Sequence, residues 1–125
     1  MQILDSPNIP PANGHYSPAI KSNGMLYLSG QLPIEQGTRK IPDTIEEQTD
    51  LCLRNIELII REAGCSKSDI VQMRLYISNI HLWDKVNERY AAFFEEHKPV
   101  RSVIPTRDLH FGCLIEVEAV AELPH

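Results

Sequence analysis

The apolar pattern of this chain predicts an α+β domain, two layers deep, with two helices packed on one face of a mixed β-sheet. Three observations carry that expectation. Two segments repeat apolar residues at helical spacing, two others alternate apolar with polar, and an Asn-Gly pair lies between two short strand-like runs. At 125 residues the chain is long enough for one core and too short for two, so residues 1–125 are expected to form a single domain.

The first dozen residues contain Pro7, Pro10 and Pro11 and read as an extended lead-in without a regular ladder. Asn23-Gly24 then predicts a type I′ hairpin, because both residues tolerate positive φ; it joins a strand at Ala19–Ser22 to one at Met25–Ser29. Pro33 ends that strand, and Gly37 to Pro42 is a polar loop. Thr44-Ile45-Glu46-Glu47 has capping-box spacing, and a helix is expected from there to Ala63, with Gly64 as its left-handed exit. Its stripe, Cys52, Ile56, Ile59, Ile60 and Ala63, lies at offsets 0, 4, 7, 8 and 11, one helical face.

The period then changes to two. Val71, Met73, Leu75 and Ile77 alternate with Gln72, Arg74, Tyr76 and Ser78, which predicts a strand with one apolar face. A second helix is expected from about Leu82 to His97, with Trp83, Val86, Tyr90, Phe93 and Phe94 inward and Lys98-Pro99 as the stop. Pro99 to Ile104 is a short extended stretch. Cys113 to Leu123 alternates again, with Cys113, Ile115, Val117, Ala119 and Ala121 on one face and Leu114, Glu116, Glu118, Val120 and Glu122 on the other. The order is β-β-α-β-α-β, with right-handed crossovers. The sheet face away from the helices carries Tyr76, Leu114 and Val120 among charges, and reads either as a solvated face or as one covered by self-association.

Charge and composition remove several function classes. Twelve Lys plus Arg against seventeen Asp plus Glu leave a net charge of −5, which argues against a general nucleic-acid binder. No apolar run approaches the roughly 20 residues of a membrane span, and Met1 to Asp5 lacks a signal-peptide pattern, so a cytoplasmic location is expected. Cys52, Cys65 and Cys113 form no CxxC pair and read as reduced thiols, Cys52 in the core. His15, His81, His97, His110 and His125 show no HxH or HExxH spacing, so no metal is assigned. No G-x-S-x-G, G-x-G-x-x-G or Walker pattern occurs.

Two positions draw attention for chemistry. Arg101 stands in an otherwise apolar extended run; it reads either as an edge arginine in a surface ion pair or as a bidentate clamp for a carboxylate. Glu116 and Glu118 share one strand face, either as solvated charges or as a pair that holds water and moves a proton. Ser29-Gly30-Gln31 closes a strand, where a hydroxyl and a close backbone can line a pocket or simply turn.

Gly14-His15-Tyr16-Ser17-Pro18-Ala19, Leu28-Ser29-Gly30-Gln31-Leu32-Pro33, Glu47-Gln48-Thr49, Ala63-Gly64, Val86-Asn87 with Tyr90, Pro99-Val100-Arg101-Ser102 and Ile115-Glu116-Val117-Glu118-Ala119 follow in that order. Together they strongly resemble the RidA (YjgF-like) family of imine deaminases, from about Ala12 to Leu123. The resemblance implies a chorismate-mutase-like fold and a homotrimer whose sheets form a central barrel, with three sites in clefts between subunits. It implies hydrolysis of 2-iminobutanoate and 2-iminopropanoate, released by pyridoxal-phosphate enzymes such as threonine dehydratase, to 2-oxo acids and ammonia without metal or organic cofactor. By the same resemblance Arg101 clamps the substrate carboxylate with help from the backbone of Val103, and Glu116 positions the attacking water. Tyr16, Ser29 and Asn87 line the pocket. His15, Val103 and the segment Leu109 to Cys113 depart from the family pattern, and these departures bear on which imine is preferred. The rival expectations are a non-catalytic protein that binds a small carboxylate metabolite and, behind it, a ribonuclease.

Overall fold

The structure, a computed structural model, describes residues 1–124. Two helices lie on one face of a single six-stranded mixed sheet, the two-layer α+β arrangement the sequence predicts. The strands are β1 (Gln2–Leu4), β2 (Ala19–Ser22), β3 (Met25–Leu28), β4 (Ile70–Ile77), β5 (Val100–Pro105) and β6 (Ile115–Glu122). The helices are α1 (Ile45–Glu62), between β3 and β4, and α2 (Trp83–Phe94), between β4 and β5. The sheet order is β1-β2-β3-β6-β4-β5: the last strand enters the middle, antiparallel to both β3 and β4, and only β4 and β5 pair parallel.

Local chemistry accounts for most of the elements. Asn23 and Gly24 both take positive φ, 51° and 79°, as the β2–β3 hairpin requires. Thr44 caps α1 by accepting the Glu47 N–H at 3.1 Å. At the other end Gly64 (φ 85°) donates to Arg61 at 2.9 Å and Cys65 to Ile60 at 2.8 Å, the paired bonds of a Schellman exit. Cys52, Ile56, Ile59 and Ile60 are fully buried against Met73, Leu75, Ile77, Ile115 and Val117. Burial of such side chains, each worth about 1.5–3 kcal/mol, drives the two layers together.

Four expectations need correction. The lead-in is not free of ladder: Gln2, Ile3 and Leu4 pair with Lys21, Ile20 and Ala19 as an edge strand, because the first proline comes only at position 7. Val71 does not join the apolar face. A bulge between Ile70 and Gln72 turns Ile70 into the core instead and leaves Val71 38% exposed. The second helix runs Trp83–Phe94, preceded by a 3-10 turn at Ile80–Leu82, and stops short of His97. Glu95 takes φ 57°, Lys67 Nζ donates to the Phe93 carbonyl at 2.9 Å, and the His97 ring bonds the Ile70 carbonyl at 2.7 Å, so the chain leaves the helix before Pro99 is reached. The last strand starts at Ile115 and ends at Glu122, since Cys113 is still held by the 3-10 turn at His110–Gly112 through its N–H to His110.

Candidate active site in two halves

Glu116 lies on the sheet face opposite the helices, in the central strand. The segment that leaves β3 is drawn across it. Ser29 donates to the Ser17 carbonyl at 2.6 Å, and Gln31 exchanges two backbone bonds with Val117, at 2.6 and 3.0 Å. Gly30 is thereby pressed onto Glu116: a Cβ at this position would stand 3.1 Å from the glutamate's carboxyl carbon, so a larger residue would make the glutamate side chain give way by a few tenths of an ångström. Tyr16 reaches the same place from the lead-in, its hydroxyl accepting the Asn13 N–H at 3.2 Å. A cavity of about 790 Å³ opens here, lined by Tyr16, Ser29, Gly30 and Glu116, with His110 and Phe111 on its wall. Phe111 holds φ 60° and is 69% exposed. Burial pushes the Glu116 carboxyl above the usual carboxylate range; nearby His110 opposes the shift and Glu118 adds to it. Among the described residues the Glu116 carboxylate has no hydrogen-bond partner, so its oxygens are free for water or ligand.

Arg101 belongs to another place. Its strand partner is Met73, which is buried under the helices, and its guanidinium stacks on α2: 4.7 Å from the Trp83 ring and 4.9 Å from the Tyr90 ring. Nη1 donates to Asn87 Oδ1 at 2.9 Å, an exposed bond. Val103, paired with Leu75, points the same way. One edge of the guanidinium is anchored and its planar fork is held on two rings, the setting that suits an incoming carboxylate. Burial pushes the Tyr90 phenol up to about 12, against the pull of Arg101.

The chain thus brings Tyr16, Ser29 and Glu116 together, and separately Arg101, Asn87 and Val103, but it does not bring the two groups together. Tyr76 is the strand partner of Glu116 and Met73 that of Arg101. Positions 73 and 76 point to opposite faces of β4, so Arg101 and Glu116 do as well. Their strands are also separated by β4, about 10 Å between backbones. Sequence reasoning passed over Trp83 and Tyr90 as Arg101 contacts, because both fit a core stripe. The available signal was that Trp83, Asn87 and Tyr90 share one stripe, at offsets 0, 4 and 7.

The chain matches the family described as Endoribonuclease L-PSP over residues 6–123. The chain belongs to that family, which is also the YjgF/RidA family. It is 36% identical over 121 residues to a RutC family protein of Pyrococcus horikoshii, covering 96% of both chains. It is 32% identical over 123 residues to TdcF of Escherichia coli (strain K12), provisionally named a reactive intermediate deaminase, covering 96% of this chain and 95% of TdcF. A crystal structure of E. coli TdcF with bound serine superposes with a TM-score of 0.94 at 31% identity, covering 99% of this chain and 100% of that one. As a YjgF/RidA-family chain it shares this fold throughout its length. Among its described residues no helix is long and apolar enough to cross a membrane, and no group of three or more His, Cys, Asp and Glu side chains is placed to hold a metal ion.

Proposed function

We propose that this RidA-family chain is a deaminase that hydrolyses small reactive 2-imino acids, such as 2-iminobutanoate and 2-iminopropanoate, and their enamine tautomers, to 2-oxo acids and ammonia. It acts as a homotrimer with sites between copies, Arg101 of one copy facing Glu116 of the next. The observation that carries this reading is that one chain holds an arginine stacked on two rings and an unpartnered carboxylate on opposite faces of its sheet. The bound serine named for TdcF supports it: an amino acid presents the same carboxylate beside C2 that a 2-imino acid presents.

The chemistry needs little more. Arg101 grips the substrate carboxylate in a bidentate pair and fixes C2 in the cleft. An enamine is first protonated at C3; the protonated imine is then electrophilic at C2, so no covalent nucleophile and no cofactor is required. Glu116 orients a water and takes its proton as the oxygen bonds to C2, giving a carbinolamine. That proton passes to nitrogen, the C–N bond breaks, ammonia leaves, and C2 becomes the carbonyl as the hydroxyl proton returns to the carboxylate or solvent. One water enters for each ammonia released.

The test adds the protein to threonine dehydratase and threonine with an imine trap, and follows trapped imine against free 2-oxo acid and ammonia. The parent is expected to speed free product, and Arg101→Ala, folded and assembled, to lose about 100-fold or more in kcat/KM. An Arg101→Ala protein as fast as the parent overturns the assignment. Thermal stabilisation by small carboxylates without turnover across a panel of imines would instead give the binding-protein reading. A ribonuclease has the family description in its favour, but on the cavity Glu35, Glu116 and Glu118 outnumber Arg39 and would repel a phosphate backbone.

A further inference from the structure

Tyr76 stands directly opposite Glu116 across the β4–β6 ladder, and Arg74 directly opposite Glu118. The nearest donor to Glu116 by register is therefore the Tyr76 hydroxyl, yet that hydroxyl is spent elsewhere. It reaches diagonally and donates to Oε1 of Glu118. Arg74 Nη1 lies 3.5 Å from the same oxygen. Two donors from β4 converge on one carboxylate oxygen, while the carboxylate two residues away, in the same cavity, has none among the described residues. The two glutamates are alike in strand, face and chemistry, and the fold partners only one of them.

We propose that Arg74, Glu118 and Tyr76 form a positioning triad that leaves Glu116 free of hydrogen bonds and screens it from the neighbouring negative charge. This rests on the role given above to Glu116 as the group that steers water. With Glu118 clamped, the Tyr76 hydroxyl cannot swing to Glu116 and occupy the lone pairs that water must use. The Arg74 charge offsets that of Glu118, so it relieves part of the push that Glu118, added to burial, gives Glu116 toward the protonated form. Tyr76 itself is held protonated by its bond to Glu118, so it serves as a fixed donor. The other charged or titratable groups around Glu116 are His110 on the turn before β6, Tyr16 of the lead-in, and Glu35 and Arg39 of the β3–α1 loop on the cavity, with the buried thiols of Cys52 and Cys113 close enough to sense its charge. The variants below leave all of them in place.

The experiment is the pH profile of kcat/KM, with a ¹³C NMR titration of the Glu116 carboxyl carbon as a readout that needs no turnover. Arg74→Met and Tyr76→Phe are expected to move the acid limb, and the Glu116 midpoint, to higher pH. Glu118→Gln is expected to move both lower, each by about half a pH unit for a charge at this range. The double variant Tyr76→Phe/Glu118→Gln should behave like Glu118→Gln alone, since Tyr76 acts through the Glu118 charge. Midpoints unchanged in Arg74→Met and Glu118→Gln, or a double variant displaced upward, overturn the triad. The functional reading fails separately: Glu116→Gln retaining full activity removes the water-steering role, while the NMR midpoints still decide whether the triad screens Glu116. Should Tyr76→Phe not fold, Arg74→Met and Glu118→Gln give the two opposite signs by themselves.

Discussion

Glu116 is placed where burial works against its charge, and the fold carries the consequence. Its affinity for a proton is higher in the folded chain than in the unfolded one, so the folded state binds more protons between the ordinary glutamate range and the raised value. Stability therefore falls as pH rises through that window, and the penalty is complete above it. Glu116→Gln keeps the shape without the charge. It is expected to raise the Tm relative to the parent at pH 7–8, and the gain should vanish on approach to about pH 3, where the parent's carboxyl is neutral in both states. Thermal unfolding at the two pH values checks this; equal gains at both would mean that packing, not charge, is responsible. Arg101 has the complementary problem of a long side chain that must be held still. Asn87→Ala removes its one side-chain bond but leaves the Trp83 and Tyr90 rings beneath it, so KM is expected to rise several-fold with a smaller change in kcat, as steady-state kinetics would show. At this scale Arg101 and Glu116 stood out in the sequence because each is a charge among apolar or alternating neighbours. Trp83, Tyr90, Tyr76 and Arg74 did not, because an aromatic in a helix stripe or a polar residue facing outward on a strand satisfies an ordinary pattern before any special contact is known.

The cavity has a floor of sheet residues and walls made largely of loops, and α1 holds those loops. Its buried face carries Gln48 and Asn55 among the aliphatic residues, and both bond to backbone groups of neighbouring segments. Gln48 Nε2 donates to the Pro42 carbonyl at 2.8 Å while its Oε1 accepts the Leu114 N–H at 2.9 Å, and Asn55 Nδ2 donates to the carbonyls of Leu32 and Ile34 at 3.3 and 3.2 Å. One helix thus ties both the loop after Gly30 and the residue just ahead of β6. Thr44→Ala removes only the cap and is expected to cost about 1 kcal/mol in unfolding free energy with kcat/KM unchanged. Gln48→Leu leaves the Leu114 N–H without a partner, and is expected to cost about 1–3 kcal/mol and to lower kcat/KM as well, because Leu114 precedes the strand that carries Glu116. Denaturant unfolding of the two variants beside their kinetics separates the roles; equal activity in both would deny α1 its hold on the site. The elements with a clear period were legible in sequence: α1, β4, α2 and β6 all fall where their apolar residues recur. What escaped was set by backbone and neighbours. Three residues of β1 are too few to show a period and pair with β2 through backbone bonds, the bulge at Val71 puts Ile70 inward in its place, and α2 ends where Lys67 and His97 meet it from outside the helix.

Sheet order, which no local pattern encodes, decides what the whole molecule can do. Because β6 enters between β3 and β4, Glu116 comes to lie in the middle of the helix-free face, under the segment that leaves β3. Because β5 takes the outer edge beside β4, Arg101 comes to lie on the helix side, against α2. A site that needs both must be made by two copies, and cyclic symmetry then gives as many sites as subunits. This predicts complementation. Arg101→Ala and Glu116→Gln should each be nearly inactive as pure assemblies, since every cleft lacks one group. Unfolded together in equal amounts and refolded, the two chains mix, and a cleft is whole when a Glu116→Gln copy supplies its Arg101 to an Arg101→Ala copy that supplies Glu116. Random mixing makes that arrangement at about a quarter of the interfaces, so activity per site should recover to about a quarter of the parent's. A mixture no more active than its components, with mixed assemblies verified by native mass spectrometry, would show that the clamp and the water-steering acid do not meet across copies.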